Sequence, residues 1–266
     1  MSRPFNKKKE RERQLLDRIL APHLGKGGLC GTLHRSSREG WVRKRLAEIP
    51  AGSRILDAGA GEQQYRPFCS HLNYVSQDLA QYDGVGNGIG HHLHQLRAGY
   101  RSELNVISDI TDIPFPDASF DAVMCIEVLE HVPDPTGALR ELCRLLKPDG
   151  RLLLTAPFCA FTHMAPYFFQ TGFSRYFYEY WLGKFGAEIV KIEYNGNYFE
   201  FLGQELRRLA STAAKYANGS LSEVEQKAQE ILLGTLNRFS QNNHGSEQYL
   251  CLGMHVLARK SELGPQ

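Results

Sequence analysis

The chain has 266 residues, 42% of them hydrophobic and 11% aromatic, enough to bury a sizeable core in one large domain with embellishments. Its 31 basic and 29 acidic residues leave a formal net charge of +2, too weak a field for a general nucleic-acid binder, so no nucleic-acid partner is expected. No apolar run reaches the ~18 residues of a membrane span, no leader-like apolar segment stands in the first residues, and Cys30, Cys69, Cys125, Cys143, Cys159 and Cys251 show no C-x-x-C or metal-like spacing; reduced thiols and a cytoplasmic location are expected.

The basic excess is local. Arg3, Lys7, Lys8, Lys9, Arg11 and Arg13 crowd the first thirteen residues, a run read as a solvated, frayed N-terminus. Leu15, Leu16, Ile19 and Leu20 then recur at helical spacing and predict a helix over 10–21. A second helix is predicted from Ser36, where Ser36 and Glu39 fit a capping box, through Trp41, Val42 and Leu46 to Ile49, with Pro50-Ala51-Gly52 as its stop.

From Arg54 strand and helix signals alternate. "RILDAG", "NYVSQD" ending at Asp78, "NVISD" ending at Asp109, "FDAVMCIEV" from Phe120 and "RLLLTAP" from Arg151 read as five buried strands. Between the last two, Ala138, Leu139, Leu142 and Leu146 mark a helix from Pro135, closed by the turn Lys147-Pro148-Asp149-Gly150. Short apolar strands interleaved with helices indicate an α/β fold with a parallel sheet covered on both faces. "AEIVKIEYNG" from Ala187 and "YLCLGMHVLAR" from Tyr249 add two strands. The stretch between them, 197–248, carries an apolar stripe of Leu221, Val224, Ala228, Ile231, Leu232, Leu236 and Phe239, interrupted by Gly234, and is read as helices packed at the sheet edge, with a cap or a dimer surface as the rarer alternatives.

"ILDAGAGEQQY" over 55–65 carries the chemistry. Its apolar run, acid and glycines suggest a strand turning into a helix around a nucleotide, yet the dinucleotide fingerprint wants a glycine at position 64, where the chain has Gln64. Ligands in open parallel sheets collect beyond the carboxyl ends of the strands. Four such ends here bear suitable residues. Gly59 and Gly61 permit close backbone approach, Asp78 is spaced to accept from a ribose diol, Asp109 could accept from an exocyclic adenine amine, and Leu79 with Ile110 would sandwich a ring. Singly, Asp78 and Asp109 are as well read as helix caps; together at successive strand ends they read as ligand groups.

In "ILDAGAGE" (55–62), the acidic Asp78, "SDITDIPFPDASFDAVMCIEVLEHVPDP" (108–135) and "RLLKPDGRLLLTAPF" (144–158), the sequence resembles the class I, seven-stranded S-adenosylmethionine-dependent methyltransferases, in particular the methyltransferase type 11 group. The resemblance implies a Rossmann-like three-layer sandwich: a mostly parallel seven-stranded sheet with the last strand antiparallel and a helical insert before it. It implies S-adenosylmethionine as cofactor, its methionine half held by Asp57, Ala58, Gly59, Ala60 and Gly61, its ribose by Asp78 with Leu79 alongside, its adenine by Asp109 and Ile110. Cys125 and Ile126 would line the methyl-donor channel. A donor without phosphate removes the need for the third glycine, and Glu62 at a helix start suits the helix dipole.

The Asn/Asp-Pro-Pro-aromatic run of base-methylating relatives is absent: the position reads Cys125-Ile126-Glu127-Val128. The segment 156–181, dense in aromatics, leaves the same sheet edge, and Phe161, Tyr167, Phe168 and Tyr176 are candidates for acceptor contact. His163 is the first candidate for a general base and His131 the second. The glycine-rich 83–95 invites a gate, and its His91, His92 and His94 a metal; surface histidines are the better reading there, and no metal site is expected.

The whole of 1–266 is thus read as one methyltransferase domain, with an N-terminal helical extension (1–50), a cofactor-binding core (51–160), an acceptor-side loop (161–181) and a helical insert (197–247). The expected activity is methyl transfer to an oxygen, in preference to nitrogen or carbon, of a small molecule such as a sugar, lipid-linked precursor or secondary metabolite, by a monomer or homodimer. A catalytically silent interaction module and an NAD-dependent oxidoreductase are the alternatives.

Overall fold

The computed structural model describes residues 21–81 and 103–261 together with a few positions between 11 and 18. The helix predicted over 10–21 lies mostly, and the histidine-bearing segment 83–95 almost wholly, outside the described residues.

The described elements are α1 (His34–Ala47), β1 (Arg54–Ala58), β2 (Asn73–Asp78), β3 (Val106–Ile107), β4 (Phe120–Ile126), α2 (Pro135–Leu145), β5 (Leu146–Pro157), α3 (Arg175–Lys184), β6 (Ala187–Asn195), α4 (Tyr198–Tyr216), α5 (Glu223–Gln241) and β7 (Gly253–Lys260). The seven strands form one sheet in the order β3-β2-β1-β4-β5-β7-β6. The first five run parallel, and β7 inserts antiparallel to both β5 and β6. This is the Rossmann-like arrangement the sequence leads one to expect.

Two compact units divide the chain. The first, Arg35–Asn195 with Leu252–Gln266, holds the sheet. Its interior is built from strand residues without polar atoms, among them Ile55, Leu56, Ala122, Met124, Leu152, Leu153 and Val256, and Trp41, Val42 and Leu46 of α1 pack into it. Burial on both faces is why these strands read as continuous apolar runs. The second unit, residues 1–34 with Gly196–Cys251, is helical. Asn197 caps α4 by accepting from the Phe199 and Glu200 amides, and Ser222 with Glu225 forms a reciprocal capping box on α5. Gly31 lies in the left-handed region (φ +76°), and a Cβ there would come 2.1 Å from the Gln204 amide nitrogen, so only glycine lets this segment lie against α4.

Local differences from the sequence reading have identifiable causes. Helix α1 begins at His34, which places Ser36 inside its first turn, and Glu39 accepts from Arg35 Nε at 2.8 Å. The glycine turn after β1 leads into no α-helix, only to a short 3-10 turn at Arg66–Phe68. Gln63 sits at φ +56°, Pro67 denies a donor, and the crossover has only fourteen residues before Asn73. The dipole argument for Glu62 therefore falls away. Lys147-Pro148-Asp149-Gly150 is not a free turn but an irregularity inside β5: Phe120 pairs with Leu146 and Ala122 with Arg151, with Asp149 at φ +63°. Gly234 does not interrupt α5, and β7 starts at Gly253, four residues after the predicted Tyr249.

Candidate functional site at the carboxyl edge of the sheet

The turn after β1 is held from two sides. The Gly59 and Ala60 amides both donate to the Gln77 carbonyl at 2.9 Å, and the Gly61 amide donates to Asp78 Oδ2 at 2.9 Å. Gly59 (φ +74°) leaves no room for a side chain, since a Cβ would lie 2.5 Å from Val128 Cγ2; Gly61 (φ +49°) opens onto space, with nothing within 4 Å of the same point. The first glycine thus packs the turn against the residues after β4, and the second presents bare backbone. The other carboxylate oxygen of Asp78 accepts from the Ala80 amide at 2.9 Å, which fixes the direction of the chain leaving β2.

Asp57 is 3% exposed and its Oδ2 accepts from the Tyr74 hydroxyl at 2.6 Å. Burial pushes its carboxyl up to about 7, with Asp78 adding to the rise and the Tyr74 bond opposing it. Beside it on the sheet edge, Leu79 is exposed and Ile110 buried, while the exposed Asp109 accepts from the Thr111 amide and hydroxyl, both at 2.8 Å. Cys125 and Ile126 end β4 in the interior, and burial raises the Cys125 thiol well above its ordinary value.

Beyond β4 the backbone turns sharply at Glu127 (φ +56°), whose carboxylate accepts from Arg38 Nη1 at 2.7 Å and from Thr155 Oγ1 at 2.9 Å. Arg38 comes from α1, whose Trp41 donates to Glu193 and lies 5.2 Å, ring to ring, from His255. This buried set ties α1, β5, β6 and β7 to the end of β4. Sequence reasoning missed it because no local spacing links residues 38, 127, 155, 193 and 255.

Glu130 is buried in the short turn that follows, and its carboxyl is held well above the usual range by burial and by Glu127. Next to it, His131 Nδ1 bonds the Tyr167 carbonyl at 2.6 Å and His163 Nδ1 the Phe161 carbonyl at 2.9 Å. The two imidazoles meet edge to face at 4.8 Å, and Phe168 lies 4.9 Å from His163. The Phe169 and Gln170 amides donate to the Glu130 carbonyl, which clamps the aromatic loop onto this turn. The aromatics of 156–181 divide accordingly: Phe173, Tyr178 and Leu182 pack inward, whereas Phe161, Phe169 and Tyr176 stay exposed.

The structure thus brings Asp57, Gly59, Gly61, Asp78 and Leu79 to one stretch of edge, with Asp109 and Ile110 following β3, and it sets His131 against His163 beyond β4. It provides no helix N-terminus after the glycine turn on which a pyrophosphate could sit, so the dinucleotide reading loses its physical basis. The groups present suit a phosphate-free donor: bare backbone at Gly61, a carboxylate at Asp78 and apolar surface at Leu79.

Residues 56–154 match the family model described as a methyltransferase domain. The chain carries a methyltransferase domain of the class I, S-adenosylmethionine-dependent kind. It is 40% identical over 119 residues to a ubiquinone biosynthesis O-methyltransferase of Xanthomonas axonopodis pv. citri, covering 43% of this chain and 46% of the relative. It is 30% identical over 126 residues to the protein of the same name from Pseudomonas fluorescens, covering 44% and 49%. The matches therefore span about half the length of these curated relatives. Among solved structures, a SAM-dependent methyltransferase from Archaeoglobus fulgidus shares the fold at 15% identity, with a TM-score of 0.51 over 85% of this chain and 94% of that one. No helix among the described residues is long and apolar enough to cross a membrane.

Proposed function

We propose that the chain transfers a methyl group from S-adenosylmethionine to an oxygen of a small-molecule acceptor. The observation that carries this reading is the built carboxyl edge: a glycine turn pinned to Asp78, with Asp57 beneath it and Leu79 beside it, inside a methyltransferase domain. The sulfonium donor supplies an activated methyl group. The residues that would hold it are Asp57 for the ammonium, the 58–61 backbone for the methionine carboxylate, Asp78 for the ribose hydroxyls, and Asp109, Ile110 and Leu79 for the adenine. Cys125 and Ile126 contribute through the backbone at the end of β4, since their side chains face the interior.

Methyl transfer to oxygen demands alignment and dryness, plus removal of one proton from the acceptor. Here the aromatic loop supplies apolar cover through Phe161, Phe168 and Tyr176, and the His131–His163 pair stands where an acceptor hydroxyl would meet the donor edge. Two observations favour oxygen over nitrogen: the relatives are named O-methyltransferases, and the run after β4 lacks the Asn/Asp-Pro-Pro-aromatic pattern. The relatives' names make a hydroxylated quinone precursor the first acceptor to try. The test is production of S-adenosylhomocysteine from S-adenosylmethionine with such hydroxylated acceptors, read with mass analysis of the product; a 14-dalton gain on oxygen is expected. Donor binding without turnover across broad metabolite extracts would favour the non-catalytic module instead.

A further inference from the structure

Glu130, His131 and His163 form an arrangement that packing alone does not explain. The Glu130 side chain is 2% exposed, and its Oε2 has no hydrogen-bond partner among the described residues. A carboxylate oxygen withdrawn from water with no donor is costly, and such groups are normally paired or bound to a metal. Its Oε1 lies 3.7 Å from His131 Nε2, and one ligating atom from each of Glu130, His131 and His163 falls within 4.8 Å of the other two.

The two histidines are oriented by a common device. A backbone carbonyl only accepts, so the Tyr167 and Phe161 carbonyls fix the hydrogen of each ring on Nδ1 and leave Nε2 as the basic nitrogen. Metal-binding histidines are held in this way, their second nitrogen donating to a carbonyl or carboxylate. Bonds of about 2.0–2.2 Å to an ion place neighbouring ligand atoms roughly 3–3.5 Å apart, so side-chain rotations closing the group by about an ångström would complete the shell.

We propose that Glu130, His131 and His163 bind a divalent transition-metal cation of the zinc, cobalt or nickel kind. Two imidazoles and one carboxylate suit such ions better than magnesium or calcium, which favour all-oxygen shells. Three protein ligands leave at least one coordination position for an oxygen from outside. If the proposed function holds, that oxygen is the acceptor hydroxyl: the ion lowers its pKa, its proton passes to water, and the histidines serve as ligands rather than as bases. The sequence alone directs attention to His91, His92 and His94 instead, and gives no hint of Glu130, whose burial is a tertiary result.

The test uses the full chain stripped with EDTA. Zn2+ is titrated calorimetrically, and Co2+ loading is followed by visible absorption. One ion per chain is expected, with at least a tenfold loss of affinity in both His163→Ala and Glu130→Gln and none in the triple variant His91→Ala, His92→Ala, His94→Ala. Stoichiometric binding unchanged in His163→Ala, loss of binding in the triple variant, or no stoichiometric binding by the parent chain would each overturn the proposal. His163 is only half-buried, so its variant decides the matter should Glu130→Gln fail to fold. S-adenosylmethionine titrated into the stripped chain reads donor binding separately: ion binding without donor binding removes the proposed function and leaves the metal site standing.

Discussion

The Gly61 amide donates to Asp78 Oδ2 at 2.9 Å, so the acid at the end of β2 both anchors the glycine turn after β1 and presents its carboxylate beside that turn. The Ala80 amide on the other oxygen fixes the carboxylate in place. A ribose diol arriving there meets a group already oriented, which reduces the ordering cost of binding.

Gly59 is the tightest point of the turn. Gly59→Ala adds a methyl 2.5–2.6 Å from both Val128 γ-carbons at a backbone angle of +74°, and should lower stability by about 2 kcal/mol in urea unfolding. Gly59→Ala with Val128→Ala should recover part of the loss, the conformational cost remaining.

Asp57 makes donor affinity depend on pH. Its carboxyl, raised to about 7 by burial, is half protonated near neutrality in the free protein, whereas a bound ammonium favours the ionised form. Affinity for S-adenosylmethionine should therefore rise with pH from 5.5 to 7 by up to about tenfold per unit, then flatten. Calorimetry on Asp57→Asn should show weaker binding without that slope.

The Arg38–Glu127 pair secures the bend after β4. Their side chains are 10% and 30% exposed, and Arg38→Met strands a mostly buried carboxylate. A loss of about 2–3 kcal/mol in chemical unfolding is expected, with partial recovery when Glu127→Gln is added.

His255 adds acid sensitivity. Burial, the largest cause, depresses it from 6.5 to about 4, so the folded chain keeps it neutral while the unfolded chain protonates it near 6.5. Its contribution is fully present above 6.5 and is lost as pH falls from 6.5 toward 4, on the order of 3 kcal/mol in all. His255→Gln should flatten stability against pH across that window.

The sequence shows the donor edge clearly because its signals are local: β1, β2 and β4 each end in the residues that matter, and apolar runs mark strands buried on both faces. The acceptor side is hidden for the opposite reason. Glu130 becomes a buried, unpartnered acid only when the loop carrying His163 folds back onto it, and Arg38 meets Glu127 across 89 positions of sequence. The helix expected after the glycine turn fails at Gln63 and Pro67, where a familiar motif outweighs plain chain length in a sequence reading.

Calorimetric titration with S-adenosylmethionine is the measurement closest to the central claim. The parent chain should bind one equivalent, and Asp78→Ala, which removes both the presumed ribose acceptor and the anchor of Gly61, should bind at least tenfold more weakly while still unfolding cooperatively. No binding by the parent chain, or undiminished binding by folded Asp78→Ala, would contradict it.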